Sequence, residues 1–366
     1  MKNSRVLLVS PLVSTVAGGI AKWTANIIDY YKAIKPKGIE LKPCYNGNMR
    51  NPLANESLLG RVIKGFHNYY PLIKMVQKEL QRGNVDVVHI CTSASIGLVK
   101  DLAIIKLAKR RNVRSVVHFH FGRIPAIFER RNWERWMIEQ VICHADKVVV
   151  MDMASYTTLK KQGFNHVDYI PNPLSQDTQT FIESNKSLKR IPNKVVFVGQ
   201  MLETKGIFEL AEAAQQISNI KVYYIGPISN KDITDKLKTL IDAEKIEICG
   251  SQPFQRVIQE MLSASVFVLP SYTEGFPNVI IESMACGCPI VTTPIGAIPE
   301  MLDIKGENCG VCVPAKDVES LKNAITRMLN NIEEAQMLGQ RAKERVNQQY
   351  SMRKVWSMLD NVWTSC

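Results

Sequence analysis

Short apolar runs alternate along this chain with longer stretches in which apolar positions recur every three or four residues. The runs read as buried strands and the longer stretches as helices packed over them, so their alternation predicts βαβ units around parallel sheets, an α/β fold. Strands are expected at 6–9, 85–90, 115–119, 147–151, 194–198, 221–225, 266–269 and 289–292. Helices are expected at 19–33, 98–111, 133–143, 206–217, 233–243 and 254–263. The stretch 172–193 breaks the pattern: it is rich in Gln, Asn, Ser and Lys and bounded by Pro171, Pro173 and Pro192. It predicts a linker at 176–192 between one Rossmann-like domain at 1–175 and another at 193–349. A last amphipathic stretch at 353–363 predicts a terminal helix within 350–366.

The length of 366 residues suits two domains of ordinary size. No apolar run approaches the eighteen or so residues that span a bilayer. The first strand could pass for a signal sequence, but Pro11 interrupts it and Gly18-Gly19 fits a turn, so a cytoplasmic protein is expected. Nine cysteines, an odd number scattered through predicted strands and helices, argue against a disulfide framework. Cys286 and Cys288 with Cys309 and Cys312 could be drawn as zinc ligands, yet they sit at a helix–strand junction and in a Val-rich strand signal, which favours buried thiols.

Charge separates the halves. Residues 1–180 hold 26 Lys and Arg against 13 Asp and Glu, a net of +13, and residues 181–366 hold 20 against 21, a net of −1. No nucleic-acid motif accompanies the basic half. Its segment 121–136 mixes Arg123, Arg130, Arg131 and Arg135 with Phe128, Trp133 and Trp136, the composition of a helix resting on anionic lipid. A helix packed on its own domain with solvated arginines has the same composition.

Residues 274–299 carry the densest chemistry. Glu274 precedes a Gly275-Phe276-Pro277-Asn278 loop, and Val279 and Glu282 follow on an apolar helix. Pro277 has φ preset near the helical value and lacks only an N–H that a first turn cannot use, so the helix should start near Asn278. It should stop around Cys286-Gly287, before a buried strand. Both carboxylates then lie at the helix end whose free amides attract phosphate. Amides for a diphosphate and carboxylates for sugar hydroxyls are what a nucleotide-sugar enzyme requires.

Ser271-Tyr-Thr-Glu-Gly-Phe-Pro277 and Glu282-Ser-Met-Ala-Cys-Gly-Cys-Pro-Ile-Val291 together resemble the donor-site signature of retaining glycosyltransferases of family 4, glycosyl transferases group 1. The resemblance implies the GT-B fold, two Rossmann-like domains facing across a cleft, with the terminal helix crossing back to the first. It further implies that the first domain binds the acceptor and the second the nucleotide-sugar. Val198-Gly-Gln-Met-Leu-Glu-Thr-Lys-Gly206 is similar to the family's segment after the first donor-domain strand, and it implies Lys205 on the diphosphate. Gln200 stands where the family has arginine, which puts either donor affinity or activity in doubt.

Gly18-Gly19 resembles the family's glycine loop, where the lack of Cβ lets amides approach a ligand. His118 and His120 should share one strand face with Phe119 on the other. The resemblance implies that one of them hydrogen-bonds the donor sugar, and His120, nearer the loop, is the expected one. Gly226 and Gly250 look like strand-end turns lining the base pocket.

The expected activity is therefore retaining hexosyl transfer. Glu274 faces the sugar, Glu282 the ribose hydroxyls, and Lys205 with the helix amides holds the leaving group. The co-substrate is a nucleotide diphosphate-sugar, UDP favoured over GDP, with no cofactor and no metal, since no Asp-x-Asp motif is present. The acceptor is expected to be a lipid-linked saccharide of bacterial surface polysaccharide synthesis at the inner face of the plasma membrane. Two other readings remain open: a non-catalytic GT-B binding subunit, for which Gln200 speaks, and another GT-B enzyme such as a nucleotide-sugar epimerase.

Overall fold

The computed structural model describes residues 4–10, 19–45 and 58–365, and of residues 58–68 the backbone alone. The chain divides into two compact units, Met1–Asn172 with Met352–Cys366, and Pro173–Ser351. Each is a six-stranded sheet in which every neighbouring pair runs parallel.

The first sheet comprises β1 (Ser4–Val9), β2 (Ile39–Cys44), β3 (Val87–Thr92), β4 (Arg114–Phe119), β5 (Lys147–Val150) and β6 (Val167–Tyr169), in the order β2-β1-β3-β4-β5-β6. The second comprises β7 (Lys194–Val198), β8 (Lys221–Ile225), β9 (Ile246–Gly250), β10 (Val266–Leu269), β11 (Ile290–Thr292) and β12 (Val311–Cys312), in the order β12-β11-β10-β7-β8-β9. In the first sheet the order of connection reverses between β1 and β3, and in the second between β7 and β10. Such switch points open a crevice at the carboxyl ends of the strands.

Inner strands are buried on both faces. Val, Ile and Leu therefore run without alternation through β3, β7 and β10. In the first unit, side chains of alternate parity feed two cores. Leu7, Val9, Val88, Ile90, Val117 and Phe119 pack on one face beneath the helices Gly97–Lys109 and Trp133–His144. Val6, Leu8, Val87 and Val116 pack on the other with the helix Gly19–Ile34 and the terminal helix Met352–Thr364, which contributes Val355, Trp356, Leu359 and Trp363. The terminal helix thus belongs to the first unit's core.

The expected linker is corrected. Residues Gln176–Ser184 form a helix capped by Ser175, whose Oγ accepts from Thr178 N at 3.1 Å, and Thr178 and Ile182 are buried. Downstream, Arg190 donates to the carbonyls of Ala264 at 2.6 Å and Gly287 at 2.5 Å, closing the ends of two helices. The stretch is polar because it forms the outer layer of the second unit, not because it is unfolded. The chain passes between units at Asn172–Pro173 and Ser351–Met352.

His89, His118 and His120 gather on the terminal-helix face of the first unit. Trp363 Nε1 donates to His89 Nδ1 at 3.0 Å. Trp23 lies 5.9, 5.0 and 4.8 Å from the three imidazoles, ring centre to ring centre. His118 and His120 share this face, their rings 3.9 Å apart, while Phe119 belongs to the opposite core. His89 Nε2, both nitrogens of His118 and His120 Nε2 have no hydrogen-bond partner among the described residues. Burial holds His89 and His120 down to about 3 and His118 well below its ordinary value, the neighbouring imidazoles adding to the effect on the last two.

Unfolded imidazoles take up protons below about pH 6.5 and these folded ones do not, so the unfolded state binds more protons and stability falls as pH falls, by up to about 1.4 kcal/mol per pH unit per histidine. All five tryptophans lie in the first unit, so their fluorescence reports its urea unfolding alone. The midpoint should drop steadily from about pH 6.5 towards about pH 4.5. His118→Leu should flatten that slope, and a wild-type midpoint constant over this window would contradict the burial argument.

Candidate functional site

The second unit builds its site at the switch point between β7 and β10. Past β7, Gly199 N donates to Ile225 O at 2.9 Å and Met201 N to Pro227 O at 2.9 Å, which hold the chain against the end of β8. A single 3₁₀ turn, Glu203–Lys205, then swings Lys205 back over the sheet. The next residue must be glycine. Gly206 has φ of +69°, and a Cβ there would sit 2.1 Å from Pro270 O. The two loops of the site are therefore pressed backbone to backbone, and Tyr272 N donates to Thr204 O at 2.9 Å between them.

The loop after β10 presents Glu274. Its Oε1 accepts from Lys205 Nζ at 2.7 Å and from Ser271 Oγ at 2.7 Å. The Glu274 side chain is 9% exposed and that of Lys205 23%, so the pair is sheltered with the ammonium on the wetter side. Ser271 is fixed in turn by Thr293, whose hydroxyl donates to Ser271 O at 2.5 Å. Behind Glu274, Gly296 approaches so closely that a Cβ would lie 2.4 Å from Glu274 O, and Ala297 N donates to Gly275 O at 2.9 Å. Tyr272 donates its hydroxyl to Glu209, and burial together with that carboxylate raises its pKa.

The helix Asn278–Ala285 starts directly after this loop. Pro277 stands at its N-cap and supplies no side-chain hydrogen bond, and the amide of Ile280 turns back to Pro277 O at 3.1 Å. Cys286 closes it and Gly287, at φ of +61°, turns the chain into β11. Glu282 occupies the second turn and is 7% exposed. Phe276 is buried with its ring 5.9 Å from that of Tyr350, anchoring the loop.

The structure brings Lys205, Glu274, Gly275, Phe276, Asn278, Val279 and Glu282 to this one edge. Gly226 also lies there, at φ of +147° against the Gly199 carbonyl, and its N donates to Gly250 O at 2.8 Å. Gln200 is exposed and donates to Ser229 Oγ at 3.3 Å. Gly250 has φ of +65°, and no atom of the described residues crowds the position of its missing Cβ. Gly19 and His120 belong to the first unit. Gly19 opens the helix Gly19–Ile34 with no atom of the described residues near its missing Cβ, and Gly18 lies outside the described residues.

The sequence reading gave no role to Ser271, Thr293, Glu209 or Gly296. Ser271 was within reach, because it opens the motif, whereas Thr293 and Gly296 act through contacts that spacing does not reveal. Among the described residues no three His, Cys, Asp or Glu side chains converge to hold a metal ion, and Cys286, Cys288 and Cys309 are buried thiols. An ammonium, a helix N-terminus and sheltered carboxylates on one edge can bind a diphosphate and the hydroxyls beside it.

The family model described as "Glycosyltransferase Family 4" matches residues 17–177, and that described as "Glycosyl transferases group 1" matches residues 179–345. The putative teichuronic acid biosynthesis glycosyltransferase TuaC of Bacillus subtilis is 31% identical over 154 residues, which cover 42% of this chain and 37% of TuaC. The uncharacterized glycosyltransferase MJ1178 of Methanocaldococcus jannaschii is 23% identical over 328 residues, 89% of each chain. The crystal structure of Anabaena Alr3699/HepE in complex with UDP superposes with a TM-score of 0.72 at 16% identity, over 99% of this chain and 100% of that one. With two parallel six-stranded sheets, the Lys205–Glu274 pair at the second switch point and a match to each half, the chain belongs to glycosyltransferase family 4, glycosyl transferases group 1, and has the GT-B fold.

Proposed function

We propose that the protein transfers a hexose, with retention of anomeric configuration, from a UDP-sugar to a lipid-linked saccharide in surface polysaccharide synthesis. The observation that carries this reading is the Lys205–Glu274 pair beside the start of the Asn278–Ala285 helix. An ammonium has three donors. One is held by Glu274, and the others are available to phosphate oxygens as charge develops on the leaving diphosphate. The same bond keeps Glu274 at the sugar end of the diphosphate, where its carboxylate accepts from sugar hydroxyls. Glu282, one turn further along the helix, takes the ribose hydroxyls.

The family resemblance supports retention. UDP is favoured because Alr3699/HepE has been crystallised with UDP and with UDP-glucose. TuaC, named for teichuronic acid biosynthesis, supports a polysaccharide setting. Charge neutralisation by Lys205 and helix amides makes the reaction independent of divalent metal in this proposal.

The first unit is proposed to dock on anionic lipid. Trp133 is 55% and Trp136 57% exposed at the start of the helix Trp133–His144, beside exposed Arg130 and Arg131. Arg135 leaves this cationic set: it bonds Glu139 at 2.8 Å and the Phe128 carbonyl at 2.7 Å, so its charge is already used within the unit. Among the described residues no helix is long and apolar enough to cross a membrane.

Calorimetry with UDP tests the donor site: Glu282→Ala should weaken binding by about 1.5–3 kcal/mol, the worth of a hydrogen bond to a charged group. An unchanged affinity would make Glu282 a structural residue. Turnover of the UDP-sugar should survive EDTA, and loss on chelation with recovery in Mg²⁺ or Mn²⁺ would contradict the proposed neutralisation. In liposome sedimentation the protein should pellet with anionic vesicles and be released as salt rises. Replacing Arg130 and Arg131 by Ser should cost about 1 kcal/mol per charge. Equal binding to neutral vesicles would sink the docking proposal alone.

A further inference from the structure

Lys205 sits beside a permissive joint. The next residue, Gly206, lies in the left-handed region at φ of +69° and connects the single turn Glu203–Lys205 to the helix Ile207–Gln215. Glycine restricts its own backbone less than any other residue, so the helix by itself leaves the direction of the turn loosely set. One residue bridges this joint. Tyr272, from the loop after β10, donates its backbone N–H to Thr204 O at 2.9 Å on one side of Gly206, and its hydroxyl to Glu209 Oε1 on the other. Thr204 directly precedes Lys205, and Glu209 lies in the first turn of the helix that follows. The lysine is thus bracketed by two bonds to the same residue.

The bracket is continuous with the site. Tyr272 is the neighbour of Ser271, which bonds Glu274, so the segment that orients the carboxylate also orients the ammonium that the carboxylate holds. The Tyr272 ring is covered by Lys316, whose ammonium lies 4.7 Å from the ring centre. Glu209 uses one oxygen for the hydroxyl, and its Oε2 is buried with no hydrogen-bond partner among the described residues. A buried acceptor left incomplete destabilises a fold, and an apolar side chain at this position would avoid the penalty. What the carboxylate adds is a charge-assisted bond to the phenol, stronger than one between neutral groups. That bond falls where the backbone is most permissive.

We propose that Tyr272 and Glu209 are positioning residues for Lys205: the phenol–carboxylate bond locks the Gly206 joint and keeps the ammonium at the diphosphate. This rests on the donor-site reading of Lys205 and deepens it by assigning what fixes the lysine in place. A lysine on a loose turn would still reach a phosphate, but it would have to be ordered on binding, and that ordering is subtracted from affinity.

Titration calorimetry with UDP and with uridine tests it on the full chain. Tyr272→Phe keeps the ring and the backbone bond and removes only the hydroxyl. It should weaken UDP binding by about threefold to tenfold, the worth of one hydrogen bond, and leave uridine unchanged, since uridine has no phosphate for Lys205 to meet. Glu209→Gln, which still accepts from the phenol, should bind UDP nearly as wild type does, whereas Glu209→Leu should match Tyr272→Phe. In a Lys205→Gln background, Tyr272→Phe should weaken UDP no further, because two changes within one network do not add. A residue that only stabilises the unit would lower UDP and uridine binding together, or add its effect to that of Lys205→Gln. Unchanged UDP affinity in Tyr272→Phe, an equal loss for uridine, or additivity with Lys205→Gln would each overturn the assignment. Equal UDP binding by wild type and Lys205→Gln would instead count against the donor-site reading and remove this inference with it, and it is read from a separate pair of titrations.

Discussion

The Lys205–Glu274 pair is the contact on which the candidate site depends, and close backbone packing in the second unit makes it possible. The two side chains are 69 positions apart in sequence and meet because Gly206 lets one loop touch Pro270 and Gly296 lets a third segment support Glu274 from behind. A methyl group at either glycine would collide with a backbone carbonyl, which cannot move aside as a flexible side chain can. Ser271 and Thr293 then complete the hydrogen bonding of the carboxylate and of the loop that bears it. The pair stores an ammonium that is already oriented and partly desolvated. Such preorganised charge is worth more to a developing anion than one recruited from solvent.

Each unit holds a lysine–carboxylate pair near its switch point, Lys205 with Glu274 in the second and Lys100 with Asp101 in the first. The Lys205 side chain is 23% exposed at its edge, whereas Lys100 and Asp101 are both buried. The exposed share of the basicity of residues 1–180 includes Arg130 and Arg131 beside Trp133 and Trp136. The histidine cluster answers to a third constraint. Its imidazoles are packed as neutral aromatic groups around Trp23 and Trp363, a use that exposes them to acid.

What the sequence disclosed follows from burial. The eight strands expected from apolar runs are the inner strands of both sheets, with Lys194–Val198, Lys221–Ile225 and Val266–Leu269 matching residue for residue. The four absent from that expectation, β2, β6, β9 and β12, are the four edges. An edge strand has a neighbour on one side only and need not be a continuous apolar run. The burial of β2 is interrupted, it contains Pro43, and β12 is two residues long. The helix Asn278–Ala285 was legible because Pro277 and Gly287 punctuate it. The linker was misread because Thr178 and Ile182 are its few inward groups in an otherwise solvated helix. In the site, residue types fixed by chemistry were visible, and those that act by close approach, such as Gly296, were not.

The central claim is that Lys205, held by Glu274, meets the diphosphate of the donor. Titrating wild type and Lys205→Gln with UDP and with uridine separates that charge from the base and ribose contacts. UDP affinity should fall by about tenfold or more in the variant, the worth of a charged hydrogen bond, while uridine binds both proteins equally. Equal UDP binding by the two proteins would contradict the account.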